Sequence, residues 1–332
     1  MNIDLAITKA ATGPETTELA AKALKTIASD PNSRSAFLNS HLTQELMGRA
    51  ATRYVAADRA ALLARLQVLA WKGYQVGTEL VGEAATDPQV LTQIIAEYLG
   101  LIKSMATMTW PRETPSLNFD LSNLGLLVSP ALAENNLRKI CTAAAETGHE
   151  VVLSMEGAAL VEDILGIFHR VHRDFPHLGI TVQAFRERTV SDLDTLLNSG
   201  ARLRLVKGVY DESESQILAS GALRDQRYVE LAQRIAESGC PLMLATHDHH
   251  IINAFRSMGA WPETVEVEML HGVRPAMASN LREQGISVRI YAAYGSNFFL
   301  HFLHRLAEYP ENVLVALADF AEPSRLTKGE YS

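Results

Sequence analysis

The 332-residue chain is expected to fold as an α/β protein, a (β/α)8 TIM-like barrel preceded by an all-helical region. Three observations predict this. From about Leu117 onward, short apolar runs alternate with amphipathic helical stretches, and the pattern repeats roughly every 25–35 residues. The runs are apolar at successive positions, as strands of a parallel sheet covered on both faces must be. No Gly-x-Gly-x-x-Gly or phosphate-gripping loop follows any of them, which counts against an open doubly wound sheet.

The elements follow in order. Up to about Pro115 the sequence reads as helix: Thr16–Ala28, Thr43–Val55 and Arg59–Trp71 are alanine-rich and helical in period. Asp87-Pro88 is a helix cap followed by proline at the first helical position, and Leu91, Ile94, Ile95, Tyr98 and Ile102 then form one apolar stripe. The segment Trp110 to Pro115, with two prolines, reads as a junction, giving a helical region over 1–112 and a barrel over 113–332. The expected strands are Leu117–Ser122, Glu150–Met155, Gly179–Ala184, Leu203–Lys207, Pro241–Thr246, Thr264–Leu270 and Ser287–Tyr291. Seven strands nearly close a barrel, and Asn312–Ala318 reads as either the eighth strand or a short helix.

Composition sets outer bounds. With 47% hydrophobic and 20% charged residues the chain can bury a large core. A net charge of -8 argues against nucleic-acid binding, which needs a basic surface. No apolar run approaches the ~20 residues of a membrane span. The first residues lack the order of a secretory signal, and Cys141 and Cys240 stand far apart with no zinc-like or redox-like spacing. A cytoplasmic location is the expectation, with peripheral docking to a membrane left open.

In a barrel of this kind the chemistry sits where strands end. Those positions carry Asp120 and Asn123, Ser154 and Glu156, Gln183, Arg204, Lys207, Gly208 and Tyr210, then Thr246, His247, Asp248, His249 and His250, and lastly Glu268, His271, Arg289 and Tyr291. Solvated loops would account for any one of these, but poorly for the set. Beyond Gly295, a helix places Phe298, Phe299, Phe302, Leu303 and Leu306 on one arc. His301, His304, Arg305 and Glu308 lie on the opposite arc, as either a solvated face or one looking into the active-site mouth.

These strand ends, in this order, resemble the proline dehydrogenase family, FAD-dependent barrel enzymes. The resemblance runs from about Leu117 to Asp319. It rests on Leu203-Arg-Leu-Val-Lys-Gly-Val-Tyr210, with Val182-Gln-Ala-Phe185, Ala245-Thr-His-Asp248, Glu266-Val-Glu-Met-Leu-His-Gly272, Val288-Arg-Ile-Tyr-Ala-Ala-Tyr-Gly295 and His304-Arg-Leu-Ala-Glu-Tyr-Pro-Glu-Asn312. The resemblance implies FAD as cofactor, with Arg204 and Gln183 on the isoalloxazine. Lys207, Gly208, Thr246, His247, Glu268, His271 and Glu308 would serve the rest of the cofactor site. Tyr291 would pack on the substrate and share the catalytic role with Arg204, and Tyr210 would help close the site. Asp120, Ser154, His301, His304 and Arg305 would face the substrate. Hydride would pass from the carbon beside a neutral amine to the flavin, giving an imine, and quinone, oxygen or another carrier would accept the electrons.

The departures are as informative. The family reads a substrate carboxylate with a first-strand lysine and two consecutive arginines; here those positions hold Asp120 and His304, with only Arg305 retained. Ser154 stands where aspartate is usual, Glu268 where glutamine is usual, and Ala293 where proline is usual. Two charges ~4 Å apart at an effective dielectric near 20 interact by about 4 kcal/mol, so exchanging a lysine for an aspartate penalises an anionic substrate by orders of magnitude. The expected substrate is therefore a proline-like or other amine whose carboxylate is absent, masked or differently recognised. Ordinary L-proline oxidation, with a compensating cation such as His301 or Arg289, is the alternative. Two readings from other classes stay open: a metal-dependent hydrolase using His247-Asp-His-His250 with Asp120, Glu268 and His271, and a non-catalytic descendant.

Overall fold

A computed structural model describes residues 30–41, 50–82, 84–208, 217–218, 221–295, 298–308, 311–326 and 331, with single positions at 19, 22–24, 26, 27 and 48. After helix α1 (Pro31–Asn39) come strand β1 (Val55–Ala56), α2 (Arg59–Trp71), β2 (Gln75–Leu80) and α3 (Pro88–Ala106). The alternation continues with β3 (Ser116–Phe119), α4 (Pro130–Thr147), β4 (Val151–Leu153), α5 (Val161–His172), β5 (Leu178–Gln183), α6 (Thr189–Asn198) and β6 (Leu203–Val206). It ends with α7 (Ala222–Ser238), β7 (Leu242–Ala245), α8 (His249–Arg256), β8 (Val265–Leu270), α9 (Pro275–Glu283), β9 (Val288–Tyr294), α10 (Phe299–Glu308) and α11 (Glu311–Ala321).

Strands β2 to β9 pair in parallel, each with the next, and β9 returns to β2, closing an eight-stranded (β/α)8 barrel. The seven strands expected from the sequence are all present, as β3 to β9. The reading of the first 112 residues as wholly helical is corrected. Gln75–Leu80 is the first barrel strand, in register with β9 from Gln75↔Arg289 to Leu80↔Tyr294, and α3 is the first barrel helix. The barrel thus begins well before the prolines at 111 and 115. Asn312–Ala318 lies within helix α11, so the helical alternative holds there. The short β1 pairs with the upper end of β9 at Ala293 and Tyr294, beyond the point where β8 leaves it at Tyr291.

Local chemistry explains the element boundaries. Asp87 caps α3, accepting from the Gln89 and Val90 amides at 2.7 and 3.1 Å, and its apolar stripe buries Leu91, Ile95, Tyr98 and Ile102 against the barrel. Gly148 ends α4 in the left-handed region, a conformation costly for any residue with a Cβ. Phe299, Phe302, Leu303 and Leu306 of α10 are buried with Tyr54, Val55, Val273 and Ala316, as the apolar arc predicts. A buried ion pair from Arg53 to Asp319 ties α11 to the segment before β1, with Nη2 to Oδ1 at 2.7 Å. Among the described residues no helix is long and apolar enough to cross a membrane.

The lower end of the barrel is filled by Arg289, whose side chain has no exposed surface. Its Nε donates to Glu266 at 2.7 Å and its Nη1 to the Val76 carbonyl at 2.8 Å and Ser116 Oγ at 3.2 Å. This corrects the placement of Arg289 at a strand end. The last strand runs three residues past Tyr291, so Arg289 opens β9 at the end opposite the site and cannot compensate for Asp120.

Candidate active site

Alternation along the strands decides which side chains meet inside the barrel. At the C-terminal ends, Glu79 of β2, Asp120 just after β3, Ser154 and Glu156 after β4, Gln183 of β5, Arg204 of β6, Glu268 of β8 and Tyr291 of β9 converge around one mouth. Arg204 Nε donates to Glu268 Oε1 at 2.6 Å, and its guanidinium lies over the Tyr291 ring at 5.1 Å from the centroid. The Tyr291 hydroxyl donates to Glu79 Oε2 in a very short contact. Ser154 hydrogen-bonds the Asp120 carboxylate. The amide of Ser122 donates to Glu156 Oε1 at 3.0 Å.

This mouth is acidic. Burial, reinforced by the Asp120 charge, pushes the Glu79 carboxyl up to about 8, although Tyr291 and Arg204 pull it down. Burial also raises Asp120, against the Ser154 hydrogen bond and the Arg204 charge. Glu156 is pushed up to about 7 by burial and then by Asp120. For Arg204 burial disfavours the cation, but Glu268, Tyr291 and Glu79 outweigh it and hold the guanidinium protonated. Of these four acids, Glu79, Asp120 and Glu268 all feel the charge of Arg204, which is itself bonded to Glu268. Glu79 was not among the residues expected from the sequence, because its strand was read as helix. The inward set Gln75, Gly77 and Glu79, alternating with Val76, Thr78 and Leu80, was the available signal, but it lacks the apolar run that marked the other strands.

The remaining expected residues fall into distinct settings. Gln183 is buried; its Nε2 donates to the Met155 carbonyl at 2.8 Å while its Oε1 has no partner among the described residues. Glu268 Oε2 is likewise unpaired. Lys207 bridges Asp225 at 2.6 Å and Asp248 at 2.9 Å. His247 accepts at Nε2 from the Leu270 amide at 2.8 Å, and burial drives it down to about 3, so the ring is neutral. Thr246 Oγ1 accepts from the Asp248 amide at 3.1 Å. His271 donates from Nδ1 to the Arg53 carbonyl at 2.7 Å and packs on Tyr331, so it serves the connection to β1. On α10, His301 and Arg305 are half-buried, and the Arg305 charge bears on His247 and Tyr54. Tyr210 lies outside the described residues, as do the side chains of His304 and Glu308.

The histidine run does not form a ligand set. His249 and His250 are exposed and pack on each other, and Asp248 caps α8 by accepting from the His250 amide at 2.9 Å. Among the described residues no three His, Cys, Asp or Glu side chains come together as a metal site.

Gly208 has φ +103, and a Cβ there would meet the Phe185 ring at 2.1 Å. Gly208→Ala is expected to cost about 1–3 kcal/mol in backbone strain and a comparable amount in overpacking. Urea denaturation of the two proteins, compared at equal m, would register this as a fall in midpoint.

A closed parallel barrel with ionisable groups from six strands gathered at one mouth defines an enzyme scaffold that works on a small molecule held at the strand C-termini. Residues 62–313 match the family model for proline dehydrogenase. The chain therefore belongs to the proline dehydrogenase family. Proline dehydrogenase 1 of Bacillus subtilis (strain 168) is 29% identical over 272 residues, covering 80% of this chain and 89% of the relative. Proline dehydrogenase of Deinococcus radiodurans is 27% identical over 305 residues, covering 89% and 96%. Among solved structures, proline utilization A from Bdellovibrio bacteriovorus, inactivated by N-propargylglycine, superposes with a TM-score of 0.73 at 17% identity. That match covers 89% of this chain but only 37% of the other. The Bradyrhizobium japonicum protein of the same name gives 0.68 at 18% identity, over 84% of this chain and 32% of the other. This chain thus spans about a third of those structures, and at such identity the likeness concerns fold alone.

Proposed function

We propose that this protein is a flavin-dependent amine dehydrogenase of the proline dehydrogenase type whose substrate presents no free carboxylate to Asp120. The observation that carries the reading is the placement of Asp120 in the mouth beside Glu79 and Glu156, with Arg204 already bonded to Glu268. An anionic amino acid entering there meets repulsion, whereas a carboxylate-masked amine or a second cationic group meets attraction.

The residues present fit FAD on the Gln183 side. The unpaired Gln183 Oε1 and the Arg204 guanidinium offer one acceptor and a set of donors where an isoalloxazine edge needs both. Thr246, His247 and Gly208 would line the rest of the cofactor, and Lys207 would have to exchange one of its two carboxylate partners for a phosphate. When bound, the flavin supplies a two-electron acceptor for hydride. The chain's own residues then orient the substrate against Tyr291, hold Arg204 protonated beside it, and keep the reacting carbon in a mouth walled off from below.

Steady-state turnover of L-proline, L-prolinamide, L-proline methyl ester and pyrrolidine by the flavin-loaded protein tests the substrate reading. The masked and carboxylate-free amines are expected to exceed proline in kcat/KM by at least tenfold. Proline turned over at ordinary dehydrogenase efficiency, with the amide no better, would sink it.

A further inference from the structure

We propose that Glu79, reached through the hydroxyl of Tyr291, takes the proton from a substrate ammonium in the mouth and so produces the neutral amine that oxidation requires. The inference builds on the amine-oxidising reading above, but not on which amine is used.

Four observations carry it. Tyr291 already donates to Glu79 Oε2, so a proton path of one hydrogen bond exists. The Tyr291 ring lies under the guanidinium of Arg204, which enters the same mouth from β6. Glu79 and Tyr291 sit on paired strands, β2 and β9, with Gly77 opposite Tyr291, so Glu79, two residues further along β2, shares a face of the sheet with Tyr291. Directly beside Glu79 in register lies Asn118, fully buried on the inward face of β3, whose Oδ1 and Nδ2 both lack partners among the described residues. Unpaired polar atoms buried at that depth cost free energy unless a ligand or water meets them.

The step balances without the oxidant. One N–H bond of the ammonium breaks and its proton passes to Tyr291 Oη, while the Tyr291 proton moves to Glu79 Oε2. The tyrosine ends neutral, the carboxylate ends protonated, and the nitrogen regains the lone pair that can form a C=N bond when hydride leaves the neighbouring carbon.

The surroundings suit a base of moderate strength. Glu79 faces Asp120 from β3, Glu156 beyond β4, Arg204 from β6, Tyr291 from β9 and Tyr98 from α3. Burial and the two acids push its carboxyl up to about 8, between an ordinary carboxylate and an alkylammonium. Such a group is ionised only on the alkaline side, so kcat/KM is expected to rise with pH through about 8.

The test uses the flavin-loaded protein with whichever amine it turns over, proline included, so failure of the substrate reading does not touch it. Glu79→Gln is expected to lower kcat about a hundredfold and to erase the limb near pH 8, with Glu79→Asp recovering part of both. A second readout needs no turnover. Calorimetric titration at pH 7 with 2,2,5,5-tetramethylpyrrolidine, which has no transferable hydride, in buffers of different ionisation enthalpy, counts protons released on binding. At pH 7 Glu79 is largely protonated and must shed that proton before it can take the one from the ammonium, so the parent should release close to one proton per probe and the Glu79→Gln variant essentially none. Tyr291→Phe keeps Glu79 and breaks the path, and its kcat should fall to a similar extent. An unchanged pH limb in Glu79→Gln, equal proton release by parent and variant, or full kcat in Tyr291→Phe would each overturn the proposal.

Discussion

Replacing Arg204 with methionine is expected to destabilise the fold by about 3–5 kcal/mol and to abolish flavin retention. The side chain is largely buried, and its loss would leave Glu268, already short of a partner at Oε2, without the cation it is bonded to and in a mouth that also holds Glu79 and Asp120. Much of the cost is the stranded Glu268 charge, not the worth of the pair. The double variant Arg204→Met with Glu268→Met should therefore recover a large part of the stability without recovering the cofactor. Urea unfolding of the three proteins, alongside the flavin absorbance of the purified samples, separates these effects. A single variant as stable as the parent would remove Arg204 from its proposed place at the centre of the mouth's charge balance.

The second large effect concerns Asp120. Changing it to lysine restores the cation that the family resemblance places there, and kcat/KM for L-proline is expected to rise by two orders of magnitude or more. Asp120→Asn removes repulsion without adding attraction and should give a smaller gain. Because burial holds the Asp120 carboxyl above its usual range, the parent carries more of this negative charge as pH rises. The advantage of Asp120→Asn over the parent should therefore be smaller at an acidic pH than at an alkaline one. Proline kinetics at both pH values would check the sign, and a gain confined to low pH would contradict it.

How much of this was legible beforehand follows from the physics of each element. Seven strands announced themselves as short apolar runs between helical stretches, as in Val151–Leu153 and Leu242–Ala245. The first strand did not, because Gln75, Gly77 and Glu79 turn a polar edge inward and the preceding residues form an alanine-rich helix. With it went Glu79, the acid that accepts from Tyr291, because only the fold brings these residues, 212 apart in sequence, together. Arg289 was misplaced for a related reason: Ala292 and Ala293 carry no strand signal, so β9 was read as ending at Tyr291 when it continues to Tyr294. Residue types at the strand ends could be listed from sequence, but not their pairing. Nothing in one chain says that Arg204 would choose Glu268, or that Lys207 would be held between Asp225 and Asp248.

The Arg289 cluster at the foot of the barrel has a consequence for traffic. With Arg289, Glu266, Ser116 and the Val76 carbonyl knitted together there, the described residues close the foot of the barrel and leave the strand C-termini as the doorway. Reactant and product must use that doorway in turn, so departure of the oxidised amine clears the way for the next arrival, and a slow-leaving product would act as its own stopper.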